Sequence, residues 1–330
     1  MADSLDRRII SALQMDGRAS WHRIATALGE PERTVVRRGT RLLDSGLVRI
    51  GAMVVRGRST VVAVRCAPGR APGRARVVAT ALARRPECVF AHVLTGSWDC
   101  LAQVQCPRDR LAGLVMDELP GLPGIVRTLT LPVLRHVLTI REWHAGLLTE
   151  AEIAVLGEGA AASAAAPAPA DLLPTSDSVG ELSRADRLLV NALAEDGRCT
   201  YDELARVSGV SEATARRRLG ALRREGRVRV RAVIEPVLLG LPVEAVLWVR
   251  AVPAAVDSVT AALAGSPHVR YVSFVTGERQ LLVLTAFPDE AALHDFVRRS
   301  PWLREAVSVD VSMVLGSLKR GGMLAPWLRD

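Results

Sequence analysis

The sequence predicts an α+β protein made of two tandem copies of one unit, each a three-helix domain followed by a βαββαβ domain. The first observation is a self-match at an offset of 180 residues: Asp6–Leu13 reads DRRIISAL and Asp186–Leu193 reads DRLLVNAL. The second is a change within each copy from helical to alternating apolar periodicity. The third is an Ala/Pro-rich stretch between the copies, a composition typical of a linker.

Each copy begins with three predicted helices and a short β-wing. Helical periodicity covers the segments 5–15, 20–28, 31–45, 185–195, 200–208 and 211–225. Ser211 suits the N-cap of the last helix and Gly226 its end, while Pro31 is acceptable at the start of the equivalent helix. Strands at 47–55 and 227–234 follow. These elements predict a winged helix-turn-helix in each copy.

The rest of each copy alternates between strands and helices. The first copy has predicted strands at 60–66, 88–94, 100–106 and 125–131, with helices at 73–84 and 108–119. The second copy has strands near 243–251, 269–275, 280–287 and 306–315, with helices near 254–264 and 289–299. The order βαββαβ predicts a ferredoxin-like domain in both copies.

These elements predict four domains and a linker. We expect a winged helix-turn-helix domain at 1–55, a ferredoxin-like domain at 56–148, an Ala/Pro-rich linker at 149–181, a second winged helix-turn-helix at 182–236 and a second ferredoxin-like domain at 237–330. Hydrophobic residues make up 49% of the chain, which is enough for full cores.

Charge favours a nucleic-acid partner. The formal net charge is +8 and the isoelectric point is about 10.1, in the range typical of proteins that bind nucleic acids. Aromatic residues are only 4% of the chain, which disfavours stacking platforms for single-stranded nucleic acid. Composition therefore favours a nucleic-acid partner that is not bound by stacking of single-stranded bases.

Several classes of site are not indicated by the sequence. The five cysteines are scattered without Cys-x-x-Cys spacing, the six histidines lack metal-ligand spacing, and neither a phosphate-binding glycine loop nor a Gly-x-Ser-x-Gly turn occurs. We therefore predict no metal, no cofactor and no catalytic residues. With no signal peptide and no apolar run of about 18 residues, we expect a cytoplasmic, nucleoid-associated protein without a membrane partner.

The third helix of each three-helix domain carries the predicted DNA-binding side chains. A helix of this kind fits the major groove, where its first residues reach base edges and its arginines bind phosphate or guanine. The predicted set is Arg33, Thr34, Arg37, Arg38 and Arg41 in the first copy and Ser211, Thr214, Arg216, Arg217 and Arg218 in the second. The alternative is that the arginines only form a solvated helix face. Two such helices at equivalent positions favour DNA binding.

Three segments together resemble the Lrp/AsnC family of transcriptional regulators. Leu5–Arg18, which reads LDRRIISALQMDGR, resembles the opening of these proteins, and Glu212–Leu222, which reads EATARRRLGAL, resembles their recognition helix. Thr95–Asp99, which reads TGSWD, resembles a turn of their effector-binding and oligomerisation domain. The resemblance covers nearly the whole chain except the linker and both termini.

The resemblance implies that an amino acid or related small molecule binds near this turn and the facing last strand. The implied effector-binding residues are Thr95, Gly96, Ser97 and Asp99, with Leu131 and Val133 facing them, and Thr276 and Gly277 in the second copy. An aspartate beside exposed turn amides suits an ammonium and a carboxylate group. The alternative is that Gly96 only closes a hairpin and Asp99 only caps it.

The two copies depart from the family pattern at different positions. Gln280 replaces the aspartate in the second copy, so an ammonium partner is missing there. Gly39 stands where the second copy has Leu219, so we expect the first recognition helix to be the less rigid one. The fusion predicts an intramolecular pseudo-dimer or a homo-oligomer with two unlike DNA-reading heads. Its operator would be an imperfect palindrome with half-sites about one helical turn, or a multiple of it, apart.

The resulting hypothesis is a sequence-specific transcriptional regulator modulated by a small effector. Some tandem proteins similar to this family decarboxylate a siroheme-type tetrapyrrole, using extra histidines, tyrosines and arginines in the β-sheet domain. The chain has only Tyr201 and Tyr271, and segments 60–66 and 243–249 contain no histidine, which disfavours this enzyme alternative. A co-regulator that acts through protein contacts without touching DNA is the third alternative, kept open by Gly39.

Overall fold

The structure is a computed structural model that describes residues 2–55, 57–67, 73–161 and 182–328. The helices are α1 (Ser4–Met15), α2 (Trp21–Leu28), α3 (Glu32–Asp44), α4 (Arg74–Ala83), α5 (Arg108–Gly113), α6 (Glu150–Ala161), α7 (Arg184–Glu195), α8 (Tyr201–Ser208), α9 (Glu212–Arg224), α10 (Val256–Ala264) and α11 (Glu290–Arg299). The strands are β1 (Arg49–Val54), β2 (Ser59–Cys66), β3 (Cys88–Leu94), β4 (Cys100–Gln105), β5 (Ile125–Leu138), β6 (Val228–Val233), β7 (Val243–Ala251), β8 (Val269–Val275), β9 (Leu281–Phe287), β10 (Ala306–Arg320) and β11 (Met323–Leu324).

The chain forms two compact units that do not follow the order of the copies. The first unit contains the described parts of 2–55, 144–161 and 182–239, and the second contains those of 57–143 and 240–328. The three-helix segments of both copies thus share one unit, and their βαββαβ segments share the other. The predicted α+β class, with two helix-turn-helix segments and two ferredoxin-like segments, is confirmed.

In the first unit, each copy forms three short helices that pack on one another, followed by one wing strand. We call α1–α3 with β1 head 1, and α7–α9 with β6 head 2. The two wing strands pair with each other in antiparallel register, and Gly51 lies opposite Arg231. Because these residues are 180 positions apart, the pseudo-twofold axis that relates the heads passes through this pair.

Helix α6 belongs to the first unit and packs against α1 and α2 of head 1. Leu156 is completely buried, and Glu152 forms an ion pair with Arg8 of α1. The predicted linker over 149–181 thus includes a packed helix at residues 150–161, and residues 162–181 lie outside the described part of the chain. The local sequence is rich in alanine and glycine, and the contacts that hold it as a helix come from head 1, which is distant in sequence.

The second unit is built from one ring of antiparallel strands. The strand order is β11-β10-β3-β4-β2-β5-β8-β9-β7, and an additional pairing of β7 with β10 closes it. Residues 125–132 of β5 pair with β2 of their own copy, and residues 133–138 pair with β8 of the other copy. Strand β10 does the same: it pairs first with β7 of its own copy and then with β3 of the first copy. The last strand of each copy therefore completes the sheet of the other.

These two strands are longer than predicted. The sequence predicted that they end at 131 and 315, but they extend to Leu138 and Arg320. Pro132 is an ordinary signal for a strand end because proline cannot donate a hydrogen bond in a sheet. The extensions are stabilised by pairing with the other copy, which leaves no local signal. The predicted helix over 108–119 is also interrupted: α5 is followed by a π-helical turn at Leu114–Glu118.

Among the described residues, the core of the second unit contains three apolar clusters. The central cluster contains Phe90, Trp248 and Tyr271 and draws on strands of both copies. The other two lie under α4 and under α10 with α11, one for each copy. Over the described parts of the chain, no helix has both the length and the apolar character needed to cross a membrane.

Candidate DNA-binding site

The helix-turn-helix of each head turns at a glycine with left-handed backbone. Gly29 has φ +66° and Gly209 has φ +70°, a region that favours glycine because side chains with a Cβ are strained there. In head 2, Ser211 N-caps α9 by accepting a hydrogen bond from the Thr214 amide at 3.3 Å. In head 1, Pro31 stands at this position without a side-chain cap. The predicted DNA contact Ser211 therefore has a structural role in starting the helix.

Two of the predicted DNA-binding arginines of α3 are attached to α1. Arg38 donates to the Asp6 carboxylate at 3.0 Å and also pairs with Asp3. Arg41 donates to the other Asp6 oxygen at 2.7 Å. Asp6 is only 4% exposed, so its charge needs these partners. Both arginines hold the recognition helix against the first helix of its head.

Head 2 repeats this attachment with one arginine. Arg218 of α9 donates to both oxygens of Asp186 at 3.2 Å and to the Ser183 hydroxyl at 3.2 Å. The position equivalent to Arg41 is Ala221, so one arginine attaches α9 to α7 where two attach α3 to α1. The repeated Asp6 and Asp186 were visible in the sequence, but their partners were not.

The remaining predicted arginines are exposed on the recognition helices. Arg33 and Arg37 lie on the surface of α3, and Arg216 and Arg217 lie on the surface of α9. Arg216 is held in place, because it pairs with Glu212 at 2.9 Å and its guanidinium lies 4.2 Å from the centre of the Tyr201 ring. Thr34 and Thr214 are half-buried. Each head thus presents exposed guanidinium groups, and the two sets differ.

Gly39 has a packing role that the sequence did not reveal. A Cβ atom at this position would lie 2.3 Å from Cζ3 of Trp21, so the indole ring occupies the space that a side chain would need. In head 2 the equivalent positions are Leu219 and Tyr201. Head 1 therefore pairs a large residue on α2 with glycine on α3, and the Trp21 ring fills the space that a side chain at residue 39 would occupy.

The predicted effector turn of the first copy lies beside the last strand of the second copy. The Thr95 amide donates to the Met313 carbonyl at 2.9 Å, and the Thr95 hydroxyl accepts from the Met313 amide at 2.9 Å. Gly96 has φ +90°, which favours glycine, and Gly96 and Ser97 are exposed. The Asp99 carboxylate accepts a hydrogen bond from the Cys66 amide at 2.7 Å. Asp99 therefore caps the end of β2.

The turn of the second copy lies beside the last strand of the first copy in the equivalent way, but its threonine makes fewer hydrogen bonds to that strand. The Thr276 amide donates to the Pro132 carbonyl at 3.1 Å, but proline has no amide to return a bond to the threonine hydroxyl. Gln280 accepts from the Ala251 amide at 3.2 Å, so it caps β7 as Asp99 caps β2. Leu131 lies beside Gly277, because a Cβ atom at Gly277 would be 3.2 Å from Leu131 Cδ2. The facing strand assigned to the first turn therefore belongs to the second.

The second unit also buries several polar side chains. Glu244 pairs with Arg270 at 2.5 Å and with Arg320, and although burial opposes its ionisation, the two arginine charges lower its pKa to about 2. His92 lies 2.9 Å from the Ser317 hydroxyl, and burial, together with Arg320, lowers its pKa to about 3. This group was not selected from the sequence, because its members are spread over β3, β7, β8 and β10.

Comparison with protein families identifies the class of both units. A model described as the AsnC-type helix-turn-helix domain matches residues 3–43, and a winged helix-turn-helix DNA-binding model matches 182–229. The model of the Lrp/AsnC ligand binding domain matches 59–142 and 244–324, which is half of the chain. The chain is thus a duplicated helix-turn-helix protein with two ligand-binding-type domains. It belongs to the Lrp/AsnC family.

Curated relatives are about half as long as this chain and align with one copy. An uncharacterised HTH-type transcriptional regulator of Pyrococcus furiosus is 37% identical over 148 residues, which cover 43% of this chain and 96% of the relative. An uncharacterised regulator of Pyrococcus horikoshii is 32% identical over 43% of this chain and 90% of its own length. The HTH-type transcriptional regulator FL11 of the same organism is 27% identical over 40% and 89%.

Solved structures of an enzyme match the chain over both copies. The siroheme decarboxylase NirDL, in complex with an iron-uroporphyrin III analogue, superposes with a TM-score of 0.59 and covers 96% of this chain and 93% of its own. The sequences are 14% identical, so the similarity concerns the fold alone. This chain thus shares the fold of both its copies with an enzyme.

Proposed function

We propose that the protein is a sequence-specific DNA-binding transcriptional regulator whose activity is controlled by a small-molecule effector. The observation that carries the proposal is the pair of recognition helices in one compact unit, each with exposed arginines and each attached to the first helix of its own head through an aspartate. A rigid helix with exposed guanidinium groups suits phosphate contacts and guanine recognition in the major groove. The site proposed for DNA comprises α3 and α9.

The exposed arginines are the proposed DNA contacts, and the attached arginines are their supports. Arg37 and Arg217 occupy equivalent exposed positions, whereas Arg38 and Arg218 occupy equivalent attached positions. Alanine at Arg37 and Arg217 removes candidate contacts and leaves Asp6 and Asp186 paired. Alanine at Arg218 also frees Asp186, so its effect on DNA binding would mix contact with folding.

The experiment is binding of the full chain to the intergenic DNA upstream of its own gene, with excess competitor DNA and at two salt concentrations. We expect a discrete, competitor-resistant complex for the wild type. The R37A/R217A variant should bind more weakly, and if each arginine contacts one phosphate, the slope of log K against log salt should fall by about 0.9 for each. The R84A/R304A variant is the control, because it removes two exposed charges from the other unit.

Two outcomes would contradict DNA recognition by these helices. Uniform, sequence-blind protection in footprinting would reduce the proposal to adhesion of a basic surface. Promoter occupancy that is unchanged in R37A/R217A would favour the co-regulator alternative, in which the protein contacts other proteins and not DNA.

The proposed effector is an amino acid or a related small molecule bound at the turns that contain Gly96 and Gly277. Support comes from the match of both βαββαβ segments to a ligand-binding family model and from the exposure of both turns beside the strand of the other copy. Because the Asp99 carboxylate already caps β2, we expect the turn amides to be the principal polar groups for a ligand. A thermal-shift screen of the common amino acids tests this, with a G96V variant as the control.

Tetrapyrrole decarboxylation is the second candidate function. The observation that favours it is the buried polar group of the second unit, which contains His92, Arg270 and Arg320 on a fold shared with NirDL. These side chains are engaged with Glu244 and Ser317, which suits a structural role equally well. Incubation with an iron-uroporphyrin and mass spectrometry decides: loss of carbon dioxide from the porphyrin would make the protein an enzyme.

A further inference from the structure

The two heads hold each other through turns that follow their first helices. These turns, 16–18 and 196–198, both read Asp-Gly-Arg. The Arg18 guanidinium donates to the carbonyl oxygens of Gly197 and Cys199 at 2.8 and 2.9 Å. An arginine of head 1 thus ties down the turn of head 2. We call the two turns with their arginines the clasp.

The same contact is made in the opposite direction. Arg198 donates to the carbonyl oxygens of Gly17 and Ala19 at 3.2 and 3.1 Å. Its guanidinium also lies 4.5 Å from the centre of the Trp21 ring at the start of α2. Arg18 lies 5.0 Å from the ring of Tyr201 at the start of α8. Each arginine therefore reaches from one head onto the helix-turn-helix of the other.

The backbone of the clasp is fixed to the paired wings. The Gly17 amide donates to the Val230 carbonyl of the opposite wing at 3.0 Å, and the Gly197 amide donates to the Ile50 carbonyl at 2.9 Å. A Cβ at Gly17 or at Gly197 would lie 2.6 Å from Ile50 Cγ2. Glycine is therefore required for this close approach, and each turn is attached to the wing of the other head.

The charges of the clasp make it sensitive to geometry. Arg18 and Arg198 place two like charges in one partly buried region. Burial and the nearby Arg18 charge therefore lower the pKa of Arg198. Four backbone carbonyl oxygens offset the repulsion between the two guanidinium groups, because each accepts a charge-assisted hydrogen bond from one of them. The attraction exists only while the heads keep their relative position. On the head 2 side, Arg223 adds a longer contact to Asp16 at 3.5 Å.

We propose that the clasp fixes the separation and orientation of α3 and α9, so that the protein accepts one spacing between its two half-sites. Arg18 and Arg198 are the positioning residues that set this spacing selectivity. The inference rests on the proposed DNA-binding function. It adds that recognition depends on a fixed distance between unlike heads, in addition to the bases that each head contacts.

A fixed distance gives spacing selectivity because DNA is helical. Half-sites one turn apart lie about 34–36 Å from each other along the duplex, on the same side. Adding or removing two base pairs moves one half-site by roughly 7 Å and rotates it about the axis by roughly 70°. Rigid heads cannot follow that rotation, whereas loosened heads can at a smaller loss of affinity.

The first test measures the distance between the heads without DNA. Nitroxide labels at the exposed, equivalent positions Asp44 and Arg224, in a Cys199→Ser background, report the separation of α3 and α9 by double electron–electron resonance. We expect one narrow distance distribution for the unmodified clasp and a broad one for R18A/R198A. The milder R18K/R198K variant keeps both charges but lacks the planar fork, and should broaden the distribution to a smaller extent.

The second test uses a selected operator whose spacer is varied by two base pairs in each direction. We expect the wild type to prefer one spacer by about tenfold or more and R18A/R198A to lose most of that preference, about 1.4 kcal/mol of discrimination per factor of ten. The R84A/R304A variant, with the same loss of charge, should keep the preference. Circular dichroism confirms that each variant is folded, and the lysine variant replaces any that is not.

The outcomes separate the two proposals. If the wild type forms no discrete complex with any spacer, the DNA-binding function fails, and the resonance measurement alone still decides whether the clasp holds the heads. If R18A/R198A is folded and keeps both the narrow distribution and the wild-type spacer preference, the clasp inference is overturned.

Discussion

Substitution of Gly39 by alanine should destabilise the protein, although glycine in a helix interior ordinarily costs stability. The added Cβ would lie 2.3 and 2.4 Å from Cζ3 and Cη2 of Trp21, well inside the usual contact distance of about 3.5–4.0 Å. The indole would have to leave its position under Arg198, whose guanidinium lies 4.5 Å from the ring centre. Overpacking costs about 1–3 kcal/mol and the lost cation–π contact about 0.5–1 kcal/mol, against a gain of about 1 kcal/mol in helix propensity.

We therefore expect G39A to lower the free energy of unfolding by about 0.5–3 kcal/mol. The matched control is G220A in α9, where the new Cβ meets only the flexible end of Arg224 at 3.4 Å. This variant should be more stable by about 0.5–1 kcal/mol. Urea denaturation followed by circular dichroism at 222 nm measures both.

A double-mutant cycle isolates the cause. In a W21A background the space beside residue 39 is empty, so G39A should become stabilising by up to about 1 kcal/mol. The sign reversal would correspond to a coupling energy of about 1.5–4 kcal/mol between the two positions. If G39A stabilises the wild type as much as G220A does, the packing argument is refuted.

Three further predictions concern the two units. Leu156→Ala should lower the stability of the first unit by about 2–4 kcal/mol in urea denaturation, because it leaves a cavity between α6 and head 1. Burial lowers the pKa of His92 to about 3 and that of His136 to about 4. Below about pH 6.5 the unfolded chain therefore binds more protons than the folded chain. The melting temperature of the second unit should fall between pH 7 and pH 4.5, and it should fall less in a variant with asparagine at both positions. Arg38→Ala should lower the melting temperature of the first unit, whereas Arg37→Ala should leave it unchanged and weaken DNA binding.

The sequence predicted the heads well because their signals are local. Helical periodicity, the Ser211 cap and the glycine turns lie within short segments, and the structure has helices at all six predicted places. Duplication strengthened each prediction by repeating it. The predicted βαββαβ segments of both copies are confirmed by their match to the Lrp/AsnC ligand-binding domain model.

Features that depend on distant partners could not be predicted. Whether an arginine of α3 or α9 is attached to the first helix of its head depends on Asp6 and Asp186, about 32 residues earlier in the chain. The helical state of α6 depends on Arg8 and a buried surface of head 1. The repeated Asp-Gly-Arg turn was a visible signal, but only the structure shows that each copy of it binds the other.

Fusion of the two copies gives each contact across the pseudo-twofold axis a single, fixed partner. In a dimer of identical chains, every substitution is applied twice and must suit both sides. Here Arg198 lies over the Trp21 ring where Arg18 lies over the Tyr201 ring, and Met313 returns a hydrogen bond that Pro132 cannot. Such unequal pairs can persist because the copies cannot separate and exchange partners. The same asymmetry applies to the exposed arginines of α3 and α9, so an operator for this protein should have unlike half-sites and therefore a defined direction.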